Sequence, residues 1–455
     1  MASAAQLWGR TVRFPGRRKH KHYFPVNERD PLLARMTESQ ALSAGGHDAT
    51  SEAKIHVVGL DQTLVDIDAR VPESLLARYE LPKGGSTVIP EDRAAQLYEE
   101  IFSQKLITNE FAGGTVGNTL HNYTLLADDA SILLGVMSEV IRVGTSGYRY
   151  LSNTSSRVNL DHLQPVDGPI GRCFALITAD GERTFAISAG KMNQLRPESV
   201  PASVFENAAA LVISAYLLRG NDEPMKDATL RAVGFAKERG VPVVLTLGTR
   251  FIIAERPDFW RSFITDNVDV LAMNEEEGEA LTGFADPLLA CQRALEWTDL
   301  VLCTAGPTGL YLAGYTDDAV KRATRYPLLP GAIPEFNRFE FSRPMLKKSC
   351  AQPLRVFAHI APYHGGPERI MSANGAGDAA LAALLHDMSA NRYHRSRVPS
   401  SAKHVRDFLT YSSMSQVCRY ANRVSYAVLV QSSPRLTRGL PEREEGLNDE
   451  AYWAM

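Results

Sequence analysis

The residues best suited to chemistry lie late in the chain, at 372–378, where the sequence reads Ser-Ala-Asn-Gly-Ala-Gly-Asp. An apolar run rich in alanine and leucine follows at once, which is typical of a buried helix. Gly375, Ala376 and Gly377 carry little or no side chain, so their backbone N–H groups can approach an anion closely. A helix N-terminus carries partial positive charge and favours phosphate. Asp378 stands at this terminus, where a carboxylate can accept a proton, so the stretch indicates phosphoryl transfer.

Asp378 also admits a purely structural interpretation, in which a glycine-rich turn leads into a core helix and the aspartate only caps it. This motif by itself does not choose between a base and a cap. Other motifs along the chain are needed to decide.

Composition limits the classes of protein to consider. The chain has 455 residues, more than the roughly 250 to 300 at which one core stops growing, so we expect a large domain with appendages. The 49 basic and 52 acidic residues leave a net charge of -3, which argues against a nucleic-acid partner. Five cysteines without paired spacing fit reduced thiols. With no apolar run of membrane-spanning length and no signal-peptide core, we expect a cytoplasmic protein without a membrane partner.

The positioning elements are those of an α/β protein. Residues 55–60 form a short β-branched run that ends in Gly-Leu, typical of an inner strand. From 205 to 305 apolar strand-like runs alternate with helix-like stretches, which predicts a parallel sheet with helices on both faces. Two β-rich runs around Asp180 and Gly181 predict a hairpin.

Three aspartates follow the first strand: Asp61, Asp66 and Asp68. Ligands of open α/β sheets bind at the carboxyl ends of strands, so a carboxylate here is well placed to accept hydrogen bonds from substrate hydroxyls. Aspartates are also common turn formers, so position alone does not establish this role.

A second glycine-rich loop, Phe-Ala-Gly-Gly-Thr-Val-Gly-Asn-Thr, occupies 111–119 and opens a helical segment. Gly113 and Gly114 permit close approach to a bound ring, and the amide of Asn118 offers both a donor and an acceptor.

These motifs, in this order, resemble the signatures of the ribokinase (PfkB-type) sugar and nucleoside kinases. The resemblance implies a three-layer α/β/α domain with a mostly parallel central sheet and a small β-sheet lid. It implies Asp378 as the catalytic base and Gly375, Ala376 and Gly377 as the anion hole. Asp66 is the expected ligand of the sugar hydroxyls, with Asp61 as the alternative.

The resemblance also implies the nucleotide side of the site. The residues expected to contact ATP are Asn274, Thr304, Gly306, Gly309 and Asn422. Glu277 is expected to hold Mg²⁺ through water, in keeping with the oxygen ligands and retained waters of that ion. The alternative for the acidic run at 275–277 is a helix N-terminus whose charges complement the dipole. ATP and Mg²⁺ are therefore expected, and a requirement for K⁺ stays open.

Further segments resemble the bacterial branch of this family that phosphorylates inosine and guanosine. They lie at 22–27, 61–66, 113–123, 327–332 and 435–442. The implied reaction moves the γ-phosphate of ATP to the 5′-hydroxyl of inosine or guanosine, in purine salvage. A kinase of another nucleoside or sugar, or a non-catalytic nucleoside-binding regulator, are the alternatives. The oligomeric state stays open, with a homodimer as one possibility.

The sequence departs from the family pattern at Ser372 and Ala373, because many relatives have Asp-Thr at these two positions.

The expected organisation follows from these assignments. Residues 1–53 form an N-terminal extension, 54–442 the kinase domain, and 443–455 a C-terminal tail. Lid strands are expected near 61–75 and 140–190. A Pro-rich, irregular insertion is expected at 316–370.

Overall fold

The computed structural model describes residues 54–127, 130–220, 223–324, 338–363 and 370–437. The predicted extension, the predicted tail, and residues 325–337 and 364–369 of the predicted insertion lie outside the described residues.

In these ranges the strands are β1 (His56–Leu60), β2 (Leu64–Arg70), β3 (Ser86–Val88), β4 (Ile107–Ala112), β5 (Ser131–Ser138), β6 (Val158–Asn159), β7 (Leu163–Val166), β8 (Gly171–Ile177), β9 (Arg183–Ser188), β10 (Ala208–Ser214), β11 (Val243–Thr246), β12 (Val270–Asn274), β13 (Leu300–Thr304), β14 (Leu310–Asp317) and β15 (Pro353–Ile360). The α-helices are α1 (Glu73–Arg78), α2 (Glu91–Ser103), α3 (Thr115–Ala127), α4 (Ser146–Ser152), α5 (Pro224–Glu238), α6 (Arg250–Glu255), α7 (Pro257–Asn267), α8 (Glu275–Thr282), α9 (Pro287–Ala294), α10 (Ala376–Arg397) and α11 (Met414–Leu429).

The larger sheet has the strand order β15-β14-β13-β12-β11-β10-β1-β5-β6, and β7 also pairs with β5. Neighbouring strands from β13 to β6 along this order run parallel, whereas β14 and β15 join antiparallel at one edge. The predicted alternation of strands and helices is confirmed. Parallel strands need crossover connections, and these place helices on the faces of the sheet.

The core lies on both faces of this sheet. Every residue of β10 is buried, and successive side chains of a strand point to opposite faces. Val212 packs in the cluster that contains α3, α10 and α11. Leu211 and Ile213 pack in the cluster that contains α5, α7 and α9. The predicted three-layer α/β/α architecture is confirmed.

A smaller second sheet has the order β3-β9-β8-β2-β4. The predicted hairpin is confirmed, because β8 and β9 pair antiparallel around Asp180 and Gly181. Ile67 of β2 is buried in the same cluster as Leu97 of α2. Asp66, its neighbour on the strand, therefore points to the opposite face of the sheet.

The expectation that 316–370 is irregular is wrong for residues 353–360. These residues form β15, which pairs along its whole length with β14. Pro353 does not prevent this pairing because it is the first residue of an edge strand, where a missing N–H is tolerated. The insertion therefore contributes a strand to the main sheet.

Helix α10 connects the core to the glycine-rich motif that precedes it. It is 22 residues long, and all residues from Ala379 to Asn391 are buried. The helix then continues through the more polar residues after Asn391 and ends at Arg397. None of the helices in the described ranges is long and apolar enough to cross a membrane.

Candidate active site

The glycine-rich motif at 374–378, which we call the phosphate loop, leads into α10. Gly375 is the residue before the first helical turn and has a φ of 78°, a conformation that glycine adopts without strain. A Cβ added there would lie 2.5 Å from Cβ of Pro434, so a side chain is excluded by contact as well. The amide of Ala379 donates to the Gly375 carbonyl at 2.9 Å and closes the first turn. The amide of Ala376 makes a longer bond of 3.3 Å to Ala373.

Asp378 lies in the first turn of α10, but it is not the residue that caps the helix, because Gly375 holds that position. Its Oδ2 accepts a hydrogen bond of 3.1 Å from Nδ2 of Asn118. Burial raises the pKa of Asp378 to about 7, and the carboxylates of Asp61, Glu277 and Asp66 add to the rise, while the Asn118 hydrogen bond lowers it. A carboxylate with this pKa suits a base that works near neutrality.

Asp66 lies on the face of the second sheet that is turned away from α2. A Cβ added at Gly113 would lie 2.5 Å from Asp66 Oδ2, so the missing side chain at 113 lets this carboxylate approach the loop. Burial, and then the charge of Asp68, raise the pKa of Asp66 to about 7, and the charge of Arg435 opposes them. Asp66 remains partly exposed.

Asp61, the alternative ligand of the sugar, has a different environment. Its side chain is buried, and its two oxygens accept hydrogen bonds from the backbone amides of Gln62 at 2.9 Å and Gly117 at 2.7 Å. Burial raises its pKa to about 7. Gly114 is close as well, since a Cβ there would lie 2.5 Å from Asp61 Oδ2. Through its hydrogen bond from Gly117, the carboxylate of Asp61 connects the first turn of α3 to the end of β1.

Asn118 lies on the first turns of α3, and its side chain is 4% exposed. Its amide is engaged at both ends. Nδ2 donates to Asp378, and Oδ1 accepts from Nε of Arg435 at 2.9 Å. Asn118 therefore joins the second glycine loop to the phosphate loop.

The predicted nucleotide residues gather at the ends of β12 and β13. Asn274 and Thr304 are register partners on these strands. A Cβ added at Gly377 would lie 3.8 Å from Thr304 Oγ1, which places Thr304 beside the phosphate loop. The chain then turns through Gly306–Thr308, and the amide of Ala305 donates to the Gly309 carbonyl at 2.8 Å.

Asn274 and Glu277 form a capping box at the start of α8. Oδ1 of Asn274 accepts from the amide of Glu277 at 2.8 Å, and the carboxylate of Glu277 accepts from the amide and side chain of Asn274 at 3.0 and 3.1 Å. Burial raises the pKa of Glu277 to about 7. Within the described ranges no group of three or more His, Cys, Asp or Glu residues is arranged to hold a metal ion directly. This donor set fits a divalent cation that is held mainly by phosphate oxygens and water.

Asn422, on α11, lies at the far end of this nucleotide region. Its Nδ2 donates to the carbonyl of Ala361 at 2.8 Å. Ala361 follows β15, and a Cβ at Gly309 would lie 2.1 Å from the carbonyl oxygen of Ile360. Asn422 and Gly309 therefore meet the same short segment of backbone.

Arg435 is the residue of this region to which the sequence motifs assigned no role. It is 3% exposed, and it contacts both Asn118 and the carbonyl of Gly113. The only signal in the sequence is that 435–442 resembles the inosine- and guanosine-phosphorylating branch. We call Asp61, Asp66, Asn118 and Arg435 the ribose cluster.

The site thus brings together the N-terminus of α10 with Asp378 in its first turn, the buried amide of Asn118, and Asp66, which is half-buried. A model of the pfkB family carbohydrate kinases matches residues 132–327. The chain belongs to this family of kinases, as the motifs predicted.

Two named relatives match nearly the whole length of this chain. The chain is 61% identical over 443 residues to a protein named guanosine-inosine kinase from Escherichia coli strain K12. The aligned residues cover 97% of this chain and 100% of that protein. The protein of that name from Escherichia coli O157:H7 shows the same identity and coverage.

Solved structures share the fold. A probable sugar kinase from Rhizobium etli CFN 42 has a TM-score of 0.62 at 18% identity, covering 85% of this chain and 96% of that one. An adenosine kinase from Sinorhizobium meliloti has a TM-score of 0.59 at 21% identity, covering 89% of this chain and 100% of that one.

Proposed function

We propose that this protein transfers the γ-phosphate of ATP to the 5′-hydroxyl of inosine and guanosine, which gives the nucleoside monophosphates and ADP. The observation that carries the proposal is the hydrogen bond between Asn118 and Asp378. This bond joins the Asp378 carboxylate, whose pKa is raised by burial to about 7, to the second glycine-rich loop, which also approaches Asp66. The identity of 61% to guanosine-inosine kinase supports the choice of nucleoside.

On the acceptor side, Asp66 binds the ribose hydroxyls, since this residue is half-buried, whereas Asp61 is buried and both of its oxygens accept hydrogen bonds from backbone amides. Gly113 and Gly114 let the ribose approach. Asn118 contributes its second amide hydrogen, because the first is directed to Asp378 and its oxygen is bonded to Arg435. The second sheet closes over the nucleoside as a lid and limits the access of water to the transferring phosphoryl group.

In the transfer step, the 5′-oxygen forms a bond to the γ-phosphorus while the bond to the bridging oxygen of ADP breaks, and Asp378 takes the hydroxyl proton. The amides of Gly375, Ala376 and Gly377 donate to the phosphoryl oxygens as charge moves onto them. To donate to phosphate, the Ala376 amide loses only its long hydrogen bond of 3.3 Å to the Ala373 carbonyl.

On the nucleotide side, the proposed ATP contacts are Asn274, Thr304, Gly306, Gly309 and Asn422. Glu277 would hold Mg²⁺ through water, and the bound ion would supply positive charge that neutralises the phosphates. The capping box with Asn274 keeps Glu277 fixed for this role.

A substrate panel tests the proposal. ADP formation is measured with inosine, guanosine, adenosine and ribose, and 5′-deoxyinosine serves as the control because it lacks the acceptor hydroxyl. We expect kcat/KM for inosine and guanosine to exceed that for ribose by about two decades or more. A preference for ribose or adenosine would transfer the assignment to another kinase of the family, and inosine binding without ADP formation would indicate a regulator. The same assay in potassium-free buffer tests the requirement for K⁺.

A further inference from the structure

The segment 431–437 crosses from the end of α11 to the phosphate loop and then to α3. Pro434 lies against Gly375. Asn122 of α3 donates to the Pro434 carbonyl at 3.2 Å and accepts from the Leu436 amide at 2.7 Å. The Leu436 carbonyl accepts from Nε2 of His121 at 3.0 Å. This segment is therefore fixed to both halves of the site.

Arg435 lies at the centre of the segment, and its guanidinium is almost fully engaged. Nη1 donates to Thr154 Oγ1 at 2.7 Å and to the Asn153 carbonyl at 3.3 Å. Nη2 donates to the Gly113 carbonyl at 3.1 Å. The guanidinium carbon lies 5.2 Å from the centre of the Tyr150 ring. Its position is thus set by contacts on three sides.

The fourth hydrogen bond of Arg435 determines which way the Asn118 amide points. Nε of Arg435 donates to Asn118 at 2.9 Å, and a guanidinium has donors but no acceptor. It can therefore face only the oxygen of the Asn118 amide. The NH₂ group must then point the other way, where it donates to Asp378 at 3.1 Å. Without Arg435, the amide could turn its oxygen toward the carboxylate, and the two would repel.

We propose that Arg435 is a positioning residue that fixes the orientation of the Asn118 amide and so directs its NH₂ group to the base Asp378. The inference rests on the proposed function, because it assumes that Asp378 takes the proton. Arg435 is too buried to contact the substrate itself.

The test compares Arg435→Met and Arg435→Lys with a matched buried arginine. Arg343 is 9% exposed and also donates to backbone carbonyls and to an asparagine oxygen, that of Asn391. That asparagine lies near the other end of α10, so Arg343→Met reports the structural cost of losing such a residue. Melting temperature, kcat, both KM values and the pH profile of kcat/KM for inosine are measured for each.

We expect Arg435→Met to lower kcat/KM for inosine by about ten- to hundredfold with little change in KM for ATP. The acid limb of the profile should move to higher pH, because the Asn118 hydrogen bond lowers the pKa of Asp378. The other groups that act on Asp378 are Asp61, Asp66 and Glu277, with Tyr216 nearby. Arg435→Met also removes the charge that lowers the pKa of Asp61 and of Asp66, and the lysine variant below controls for that loss. Arg343→Met should lose thermal stability without moving the limb.

Arg435→Lys separates orientation from charge. Lysine keeps the charge that acts on Asp61 and Asp66 but lacks the planar fork that reaches Asn118 and Gly113 together. It should therefore share the kinetic defect. If Arg435→Met does not fold, Arg435→Lys carries the same readouts.

A double-mutant cycle with Asn118→Ala completes the test. If Arg435 acts through Asn118, the double variant Arg435→Met/Asn118→Ala should be no slower than Asn118→Ala alone. Additive losses, or an unmoved acid limb in Arg435→Lys, would overturn the inference. Wild-type enzyme without activity on any nucleoside would instead refute the proposed function.

Discussion

The phosphate loop, which ends in Asp378, and the ribose cluster, which reaches Asp378 through Asn118, are built in different ways. In the phosphate loop, the groups proposed to meet phosphate are backbone amides of consecutive residues. The ribose cluster is instead made of side chains from distant segments that contact one another, and Asn118 and Arg435 are 317 residues apart in the chain. The phosphate loop should therefore tolerate side-chain changes that leave its backbone unaltered, and so should Ser372 and Ala373 just before it. The cluster should be sensitive to each side chain.

Asp378 is the point where the two regions meet, so its replacement should have the largest effect. Asp378→Asn keeps size and hydrogen bonding but removes the proton acceptor, and turnover should fall by about two to four decades while inosine still binds. In the wild type, kcat/KM should fall as the pH is lowered through about 7, because Asp378 becomes protonated. Turnover is measured by ADP release and binding by calorimetry. Near wild-type turnover in the Asn variant would return Asp378 to a structural role.

Asp66→Ala tests the side-chain half of the comparison. Loss of charge-assisted hydrogen bonds of about 1.5 to 3 kcal/mol to the ribose should lower kcat/KM for inosine by one to two decades. KM for ATP should stay unchanged, because the nucleotide residues lie on β12, β13 and beyond. Steady-state kinetics with each substrate varied in turn gives both values. An unchanged kcat/KM for inosine would transfer the role to Asp61 or to another residue.

Gly375→Ala tests the backbone half. At the φ of 78° found for Gly375 an alanine is strained, and its methyl group would collide with Pro434. Strain of about 1 to 3 kcal/mol in the loop should displace its amides and reduce turnover by about tenfold. Ser372→Ala is the matched control, because it lies just before the loop and its Oγ accepts a local hydrogen bond from the Asn374 amide at 3.2 Å. That control should keep nearly full turnover. Equal losses of turnover in Gly375→Ala and Ser372→Ala would contradict the view that this loop acts through its backbone rather than its side chains.

The same difference explains which features could be predicted from the sequence. The first strand, the strands between 205 and 305, the hairpin and the two glycine-rich loops that open helices depend on residues close in sequence, and local patterns predicted them. The contacts of Arg435 and the buried role of Asp61 depend on segments far apart, and no local pattern carries that information. The run from Asn274 to Glu277 left two interpretations open because a capping box and a water-mediated metal site share one spacing. β15 was missed because prolines on both sides of it obscured a short edge strand.

The acceptor position is measured most directly by the ³¹P NMR spectrum of the product formed from inosine and ATP. We predict a phosphate monoester signal split into a triplet by the two protons on C5′, and no phosphorylated product from 5′-deoxyinosine. A doublet, which reports a phosphate on a secondary hydroxyl of the ribose, would contradict a base at Asp378 that serves the 5′-hydroxyl. Release of ADP without any phosphorylated nucleoside would contradict it as well.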